Sequence, residues 1–417
     1  MPTKIVSRSI TKPTSRRPSP RRKSPAPKPV TAAIPTEQVT TTPTVVMTPI
    51  PTPDRAWWWL DRIIISLAGL LVLSGLIILG KWWYLKQPNY KSTYNLTYTN
   101  TPVVPATSLT ALAPLTGLPA TPLEAGRRPW AVVVENFPSV RPQSGLSSAD
   151  LVFESPTEGG ITRFLAIFQS QLPVDNLGPI RSARPYFNDW ASTFGAFYSH
   201  SGGTAEALQQ LKGGYGNLQD VNEFFNEHAY QRDLAKKAPH NLFTTPERFW
   251  SYAQNKNWPL TATAAPWFSF NKQLSTSSPA TDITLPYYPA DYSVNYIYQP
   301  LSGYYQRTLN GLVQTEAATQ KPLAVKNALV LLTDITPIPN DPLLKVNLRT
   351  TGSGKLILFS QGQQYEGRWQ KTTAHSPLKF TTPQGTALNL APGNIWVSVM
   401  DNALEKDIKI KAVTSNP

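Results

Sequence analysis

The seven residues Gly178-Pro-Ile-Arg-Ser-Ala-Arg184 place two guanidinium groups three positions apart in a segment opened by Gly-Pro. A third, Arg163, closes the phrase Glu158-Gly-Gly-Ile-Thr-Arg163. Arginine keeps its proton in proteins and offers a rigid fork of donors that fits carboxylates and phosphates. Arg163, Arg181 and Arg184 therefore read as a clamp for an anion, with backbone donors from Gly159-Gly160 and Gly202-Gly203 beside it. A competing reading pairs the same arginines with Glu135, Glu154 and Glu158, which end or follow predicted strands on one side of a domain. Two histidines stand nearby, in His200-Ser-Gly-Gly203 and in Ala238-Pro-His240-Asn241. The expected ligand-binding set is Arg163, Arg181, Arg184, Glu154, Glu158, His200, Gly202, Gly203, His240 and Asn241. Glu158, His200 and His240 are the candidates for moving a proton.

Other chemistries fit less well. Two of the carboxylates could flank a glycosidic bond as acid and base. Ser201 follows His200, but the Gly-x-Ser-x-Gly elbow is absent and neighbours in a chain do not by themselves make a nucleophile and base. The chain has no cysteine and four histidines. That removes disulfides, thiolate metal sites and cysteine nucleophiles, and the histidines show no metal-ligand spacing. No cofactor or metal is implied, although an oxygen-ligated Ca²⁺ site leaves no such signature.

These groups need elements to hold them. Trp130 to Glu135, Asp150 to Glu154 and Thr162 to Phe168 are apolar runs that read as buried strands. Tyr186 to Phe197 and Thr204 to Lys212 have the length for helices. A better helix opens at Thr244, where Thr244 with Glu247 fits a capping box and Pro246 falls in the first turn. From about residue 290 the pattern turns to alternation: Tyr292 to Tyr298, Leu344 to Leu348, Lys355 to Phe359, and a last strand over Asn394 to Met400.

Charge is unevenly spread. Up to Arg62 there are 11 Lys/Arg against 3 Asp/Glu, so +8 of the formal +14 sits in that segment. Residues 1–56 are rich in Pro, Ser, Thr, Arg and Lys and carry too few large apolar groups to offset their ordering entropy, which predicts a disordered cytoplasmic tail. An apolar run from Ile63 to Leu79 follows, with Trp57-Trp-Trp59 before it and Trp82-Trp83-Tyr84 after it. Its length and aromatic flanks predict a transmembrane helix within 57–86, in contact with the lipid bilayer. The basic residues before it predict an inside N-terminus, a single-pass protein of the cell membrane and extracytoplasmic C-terminal domains. Residues 87–128 read as a flexible spacer. The basic character belongs to the tail, so no nucleic-acid partner is expected for the ectodomain.

The chain resembles the YerB-like family of bacterial lipoproteins, a domain family of unknown function. The resemblance is carried by Pro114-Leu-Thr-Gly-Leu-Pro119, Glu135-Asn136, Arg141-Pro-Gln-Ser-Gly-Leu146, Glu154, the Glu158 phrase, the Gly178 phrase, His200-Ser-Gly-Gly203 and Ala238-Pro-His-Asn-Leu242, and more weakly by Gly367-Arg-Trp-Gln-Lys371 and Ala391-Pro-Gly-Asn-Ile-Trp396. It implies an extracytoplasmic α/β domain, a mixed sheet with flanking helices over 129–285, followed by a smaller strand-rich domain over 286–410, both behind one transmembrane helix. Members of that family are commonly held by a lipidated cysteine, which this chain lacks. The resemblance implies no reaction. The expected function is binding of an anionic ligand such as a cell-wall fragment or polymer. The alternatives are an envelope hydrolase or transferase with Glu/His acid-base residues, and a non-catalytic envelope scaffold.

Overall fold

A computed structural model of the chain describes residues 111–262 and 267–412. The tail (1–56), the expected transmembrane segment (57–86) and most of the spacer lie outside the described residues. Among the described residues no helix is long and apolar enough to cross a membrane.

Strands dominate the described chain. Nine long enough to set the architecture are β1 (Trp130–Glu135), β2 (Leu151–Pro156), β3 (Thr162–Phe168), β4 (Phe197–His200), β5 (Gln219–Asn222), β6 (Asn327–Thr333), β7 (Gly352–Ser360), β8 (Gln363–Lys371) and β9 (Ile395–Asp401). They lie in one mixed sheet of eleven strands, in the order β8-β7-β6-β9-β2-β3-β1-β4-β5. Strands β5, β4, β1, β2, β9 and β6 run in one direction, while β3 and β7 run against them. The β9 strand pairs Ile395 with Leu151 and Ser398 with Glu154, so the last third of the chain is hydrogen-bonded into the sheet begun by the first.

The apolar runs over 130–135 and 162–168 are strands as expected, because both faces of the sheet are covered. On one face lie Val132, Val134 and Phe164, packed against helix residue Phe249 and against Ile283, Val294, Tyr296 and Tyr305 of a six-stranded sheet. On the other lie Ala131, Val133, Phe153 and Leu165, packed against Phe187 and Trp190. Among the described residues the α-helices are few: α1 (Pro122–Gly126), α2 (Pro185–Thr193), α3 (Ala205–Leu211) and α4 (Pro246–Asn255).

The described fold is thus β-rich, rather than the α/β arrangement expected. The mixed sheet is present, but a second sheet takes much of the covering role that helices would have. The predicted helix over Tyr186 to Phe197 stops at Thr193, since Gly195 at φ +56° breaks it and Phe197 enters β4. The helix predicted at Thr244 is capped one residue later: Thr245 accepts from the Arg248 N–H at 3.2 Å. Thr244 is instead buried, donating its hydroxyl to the Ala229 carbonyl at 2.7 Å.

Candidate functional site

Strands β1, β2, β4 and β5 end along one edge of the sheet, and β3 begins there at Thr162. Strands β1 and β4 pair only from Trp130 to Val132 and diverge beyond. The Gly178–Arg184 run fills that split. The Arg181 N–H donates to the Val133 carbonyl at 2.9 Å, the Ser201 N–H donates to the Arg181 carbonyl at 3.0 Å, and the Ala183 N–H donates to the Gly202 carbonyl at 3.0 Å. Backbone groups that the diverging strands would leave unpaired are satisfied in this way. Gly203 allows the close approach, since a Cβ there would sit 3.2 Å from the Ala183 methyl.

The structure brings Glu158, Arg163 and Arg184 together. The Glu158 carboxylate pairs with Arg163 at 3.5 Å and, more closely, with Arg184. Both guanidiniums are nearly buried. Arg163 also donates to the Ser182 carbonyl at 2.9 Å, and Arg184 to the Ala183 carbonyl at 2.6 Å. The Arg184 Nε is buried without a hydrogen-bond partner. Two cations share one anion. Burial, then repulsion from Arg184, pushes the Arg163 guanidinium down to about 10. Burial pushes the Glu158 carboxyl up, but Arg163 and Arg184 outweigh it and hold it below the ordinary carboxylate range.

Beside this triad opens a recess of about 190 Å³, lined by Thr157, Glu158, Arg184, Tyr186, Thr204 and Lys345 among others. Arg184 is the N-cap of α2, and no side chain caps the first turn of that nine-residue helix. A helix N-terminus with free amides carries partial positive charge. Lys345 is held by Asp341 at 2.8 Å.

Arg181 goes elsewhere. Its Nε lies 3.3 Å from Glu135, whose other oxygen is 2.9 Å from Nδ1 of His240. Phe137 stacks on the His240 ring at 5.7 Å. A carboxylate on Nδ1 fixes that nitrogen as an N–H, so in the neutral ring Nε2 is the acceptor. His200 is fully buried, with Nδ1 2.7 Å from the Gly202 carbonyl and Nε2 2.8 Å from Asp220. Ser201 donates to Glu223 at 2.5 Å and makes no pair with His200. Asn241 accepts from Arg232 at 3.0 Å, and Arg232 pairs with Glu223. The glycine amides expected to meet a ligand are partly taken: the Gly202 N–H donates to Asn222 at 3.0 Å and the Gly159 N–H to the Leu344 carbonyl at 3.2 Å.

Glu154 leaves the group altogether. It is fully buried and pairs with Arg307, also fully buried, while accepting from Thr162 Oγ1 at 2.9 Å and Trp396 Nε1 at 3.2 Å. The Arg307 guanidinium lies 4.5 Å from the Trp396 ring centroid. A closed ring of hydrogen bonds runs through six side chains. Arg307 donates to Glu154 and to Gln314; Gln314 donates to Gln143 at 3.2 Å; Gln143 donates to Asn136 at 2.8 Å; Asn136 donates to Thr162 at 2.8 Å; and Thr162 returns to Glu154. Sheet parity accounts for the separation. Glu154 is opposite Phe164 in the register while Arg163 is opposite Glu135 and Ser155, so Glu154 and Arg163 face opposite sides.

Sequence reading missed Arg307, Gln314, Gln143 and Lys345. The phrases Glu135-Asn136 and Arg141-Pro-Gln143 were the visible signal for the ring; nothing local marked Arg307, which sits in a strand over Tyr304–Leu309.

Two regions of the chain that share this sheet are both known from one family. The chain belongs to the family described as "Protein of unknown function (DUF3048)": its N-terminal domain matches residues 115–259 and its C-terminal domain residues 283–397. The chain is similar to "Putative lipoprotein YerB" of Bacillus subtilis (strain 168), with 33% identity over 300 residues that span 71% of this chain and 88% of the relative. The crystal structure of the YerB protein from Bacillus subtilis matches with a TM-score of 0.64 and 32% identity, covering 72% of this chain and 99% of that one.

Proposed function

We propose that the protein works at the outer face of the cell membrane and binds an anionic group of a cell-wall fragment or polymer in the recess at Arg184. One observation carries this reading: two nearly buried guanidiniums share a single carboxylate beside an uncapped helix N-terminus and an open recess. An incoming phosphate or carboxylate would relieve the repulsion between Arg163 and Arg184 and fill the helix end. Glu158 is the internal anion that it would meet or displace. The extracytoplasmic location rests on the lipoprotein name of the relative and on the basic tail and apolar run, with a membrane helix in place of a lipidated cysteine.

Titration of the full-length protein with solubilised wall polymer is the test. Saturable binding is expected, weakened roughly 10- to 100-fold in Arg184→Met, the range for one hydrogen bond to a charged group. Unchanged affinity in that variant would remove the recess from the reading. A second reading, an envelope hydrolase or transferase, is favoured by the Glu135–His240 pair, in which Nε2 of His240 makes no hydrogen bond among the described residues. It requires product release from wall material that His240→Asn abolishes.

A further inference from the structure

Two phenyl rings stand in solvent just after β5. Phe224 is 67% exposed and Phe225 82% exposed. They do not belong to a loose tip. Asn222 Oδ1 accepts from the Gly202 N–H at 3.0 Å and from the Phe224 N–H at 3.3 Å, so one amide fixes both segments. Glu223, between them in sequence, is tied to Ser201 at 2.5 Å and to Arg232. The Phe224 ring lies across Gly202, where a Cβ would come within 3.0 Å of it. Gly202 has φ +59°, so the residue under the ring must be small and left-handed. Two residues on, Thr204 lines the recess. Two residues of backbone span at most about 7 Å, so the segment under the Phe224 ring runs directly into the lining of the recess.

We propose that Phe224, with Phe225 beside it, is a stacking platform for the sugar ring of an anionic saccharide whose phosphate or carboxylate is seated at Arg184. This rests on the anion reading of the recess and names its ligand class. The apolar C–H face of a pyranose removes phenyl surface from water while its hydroxyls stay at the polar rim. A ring held by its backbone before binding loses little entropy on contact. The charge pattern favours a saccharide over a lipid surface: residues 223–248 hold four Lys/Arg against four Asp/Glu, so they exert no net pull on an anionic bilayer.

Affinities of the full-length protein in detergent for N-acetylglucosamine 1-phosphate, N-acetylmuramic acid, glycerol 3-phosphate and inorganic phosphate decide the matter. Phe224→Ala is expected to weaken whichever of the two saccharides binds by roughly three- to tenfold, and to leave the ring-free anions unchanged. Phe224→Tyr keeps the affinity, and the more responsive saccharide tells phosphate from carboxylate. Arg184→Met weakens all four. If Phe224→Ala leaves every affinity unchanged while Arg184→Met does not, the platform is overturned and the anion site stands. No binding of any probe overturns both. Phenyl-dependent flotation with phosphatidylglycerol vesicles, with saccharide affinity unaltered, assigns the rings to lipid and overturns the proposal.

Discussion

Arg307→Met is the perturbation whose size the structure sets best. Both members of the Glu154–Arg307 pair have no solvent exposure. Glu154 belongs to the region matched by the N-terminal family domain and Arg307 to that matched by the C-terminal one. Burial opposes the charge of Arg307, but Glu154 and Tyr296 outweigh it and raise its affinity for the proton. Methionine fills similar volume but leaves a buried carboxylate facing only two neutral donors, Thr162 and Trp396, and leaves Gln314 without its donor. Breaking a buried pair from one side costs about 3–5 kcal/mol. Unfolding entropy near 2.1 cal/mol/K per residue, over roughly 300 residues, converts that to a fall in Tm of about 5–8 °C. Glu154→Gln in the same chain removes the stranded charge, and replacing both members of a buried pair is often neutral, so the double variant recovers most of the loss. Thermal melts by circular dichroism of the four proteins in the cycle measure both effects. A single variant within about 1 °C of the wild type, or a double variant as unstable as the two losses added, would falsify the claim that this ring joins the two family regions.

Further outcomes follow from other sites. Asp150 is buried, and that burial raises its carboxyl to about 6 although it accepts from the Gln169 and Ser170 N–H groups. A raised carboxyl favours the folded state at low pH, so its contribution, roughly 3 kcal/mol at most, is present below about pH 4 and lost as pH rises through 6; Asp150→Asn should flatten the fall in Tm between those values, and an unchanged slope would refute it. Gly160 has φ +75° and a Cβ there would run into the Tyr288 carbonyl, so Gly160→Ala should cost more than about 1 kcal/mol in urea denaturation, and an unaltered midpoint counts against the geometry. The chain has no cysteine, so single cysteines at Ser19 and Gln320 report topology without background. An impermeant maleimide on intact cells should label position 320 and spare position 19; the reverse pattern overturns the proposed orientation.

The strands over 130–135, 162–168 and 395–401 were legible because a strand buried on both faces must be apolar along its length, which is a local property. Helix endings were less so. Thr244 and Thr245 are equally good caps by type, and only the burial of Thr244 under the Ala229 carbonyl assigns the cap to its neighbour. The share of helix was overestimated because a one-dimensional pattern says that a sheet face must be covered without saying that a second sheet covers it.

The candidate site divides in the same manner. Sequence supplied the expectation that three arginines, two histidines and several carboxylates lie near glycine-broken loops, because residue type and spacing carry that much. It also brought out the phrases that resemble a known family. Tertiary structure alone decided which charge meets which. Arg163 and Arg184 share Glu158, Arg181 goes to Glu135 and His240, and Glu154 turns to the opposite face to meet Arg307, 153 positions away. Strand parity sets the face and long-range sheet pairing sets the partner, and neither is written in the spacing of neighbouring residues.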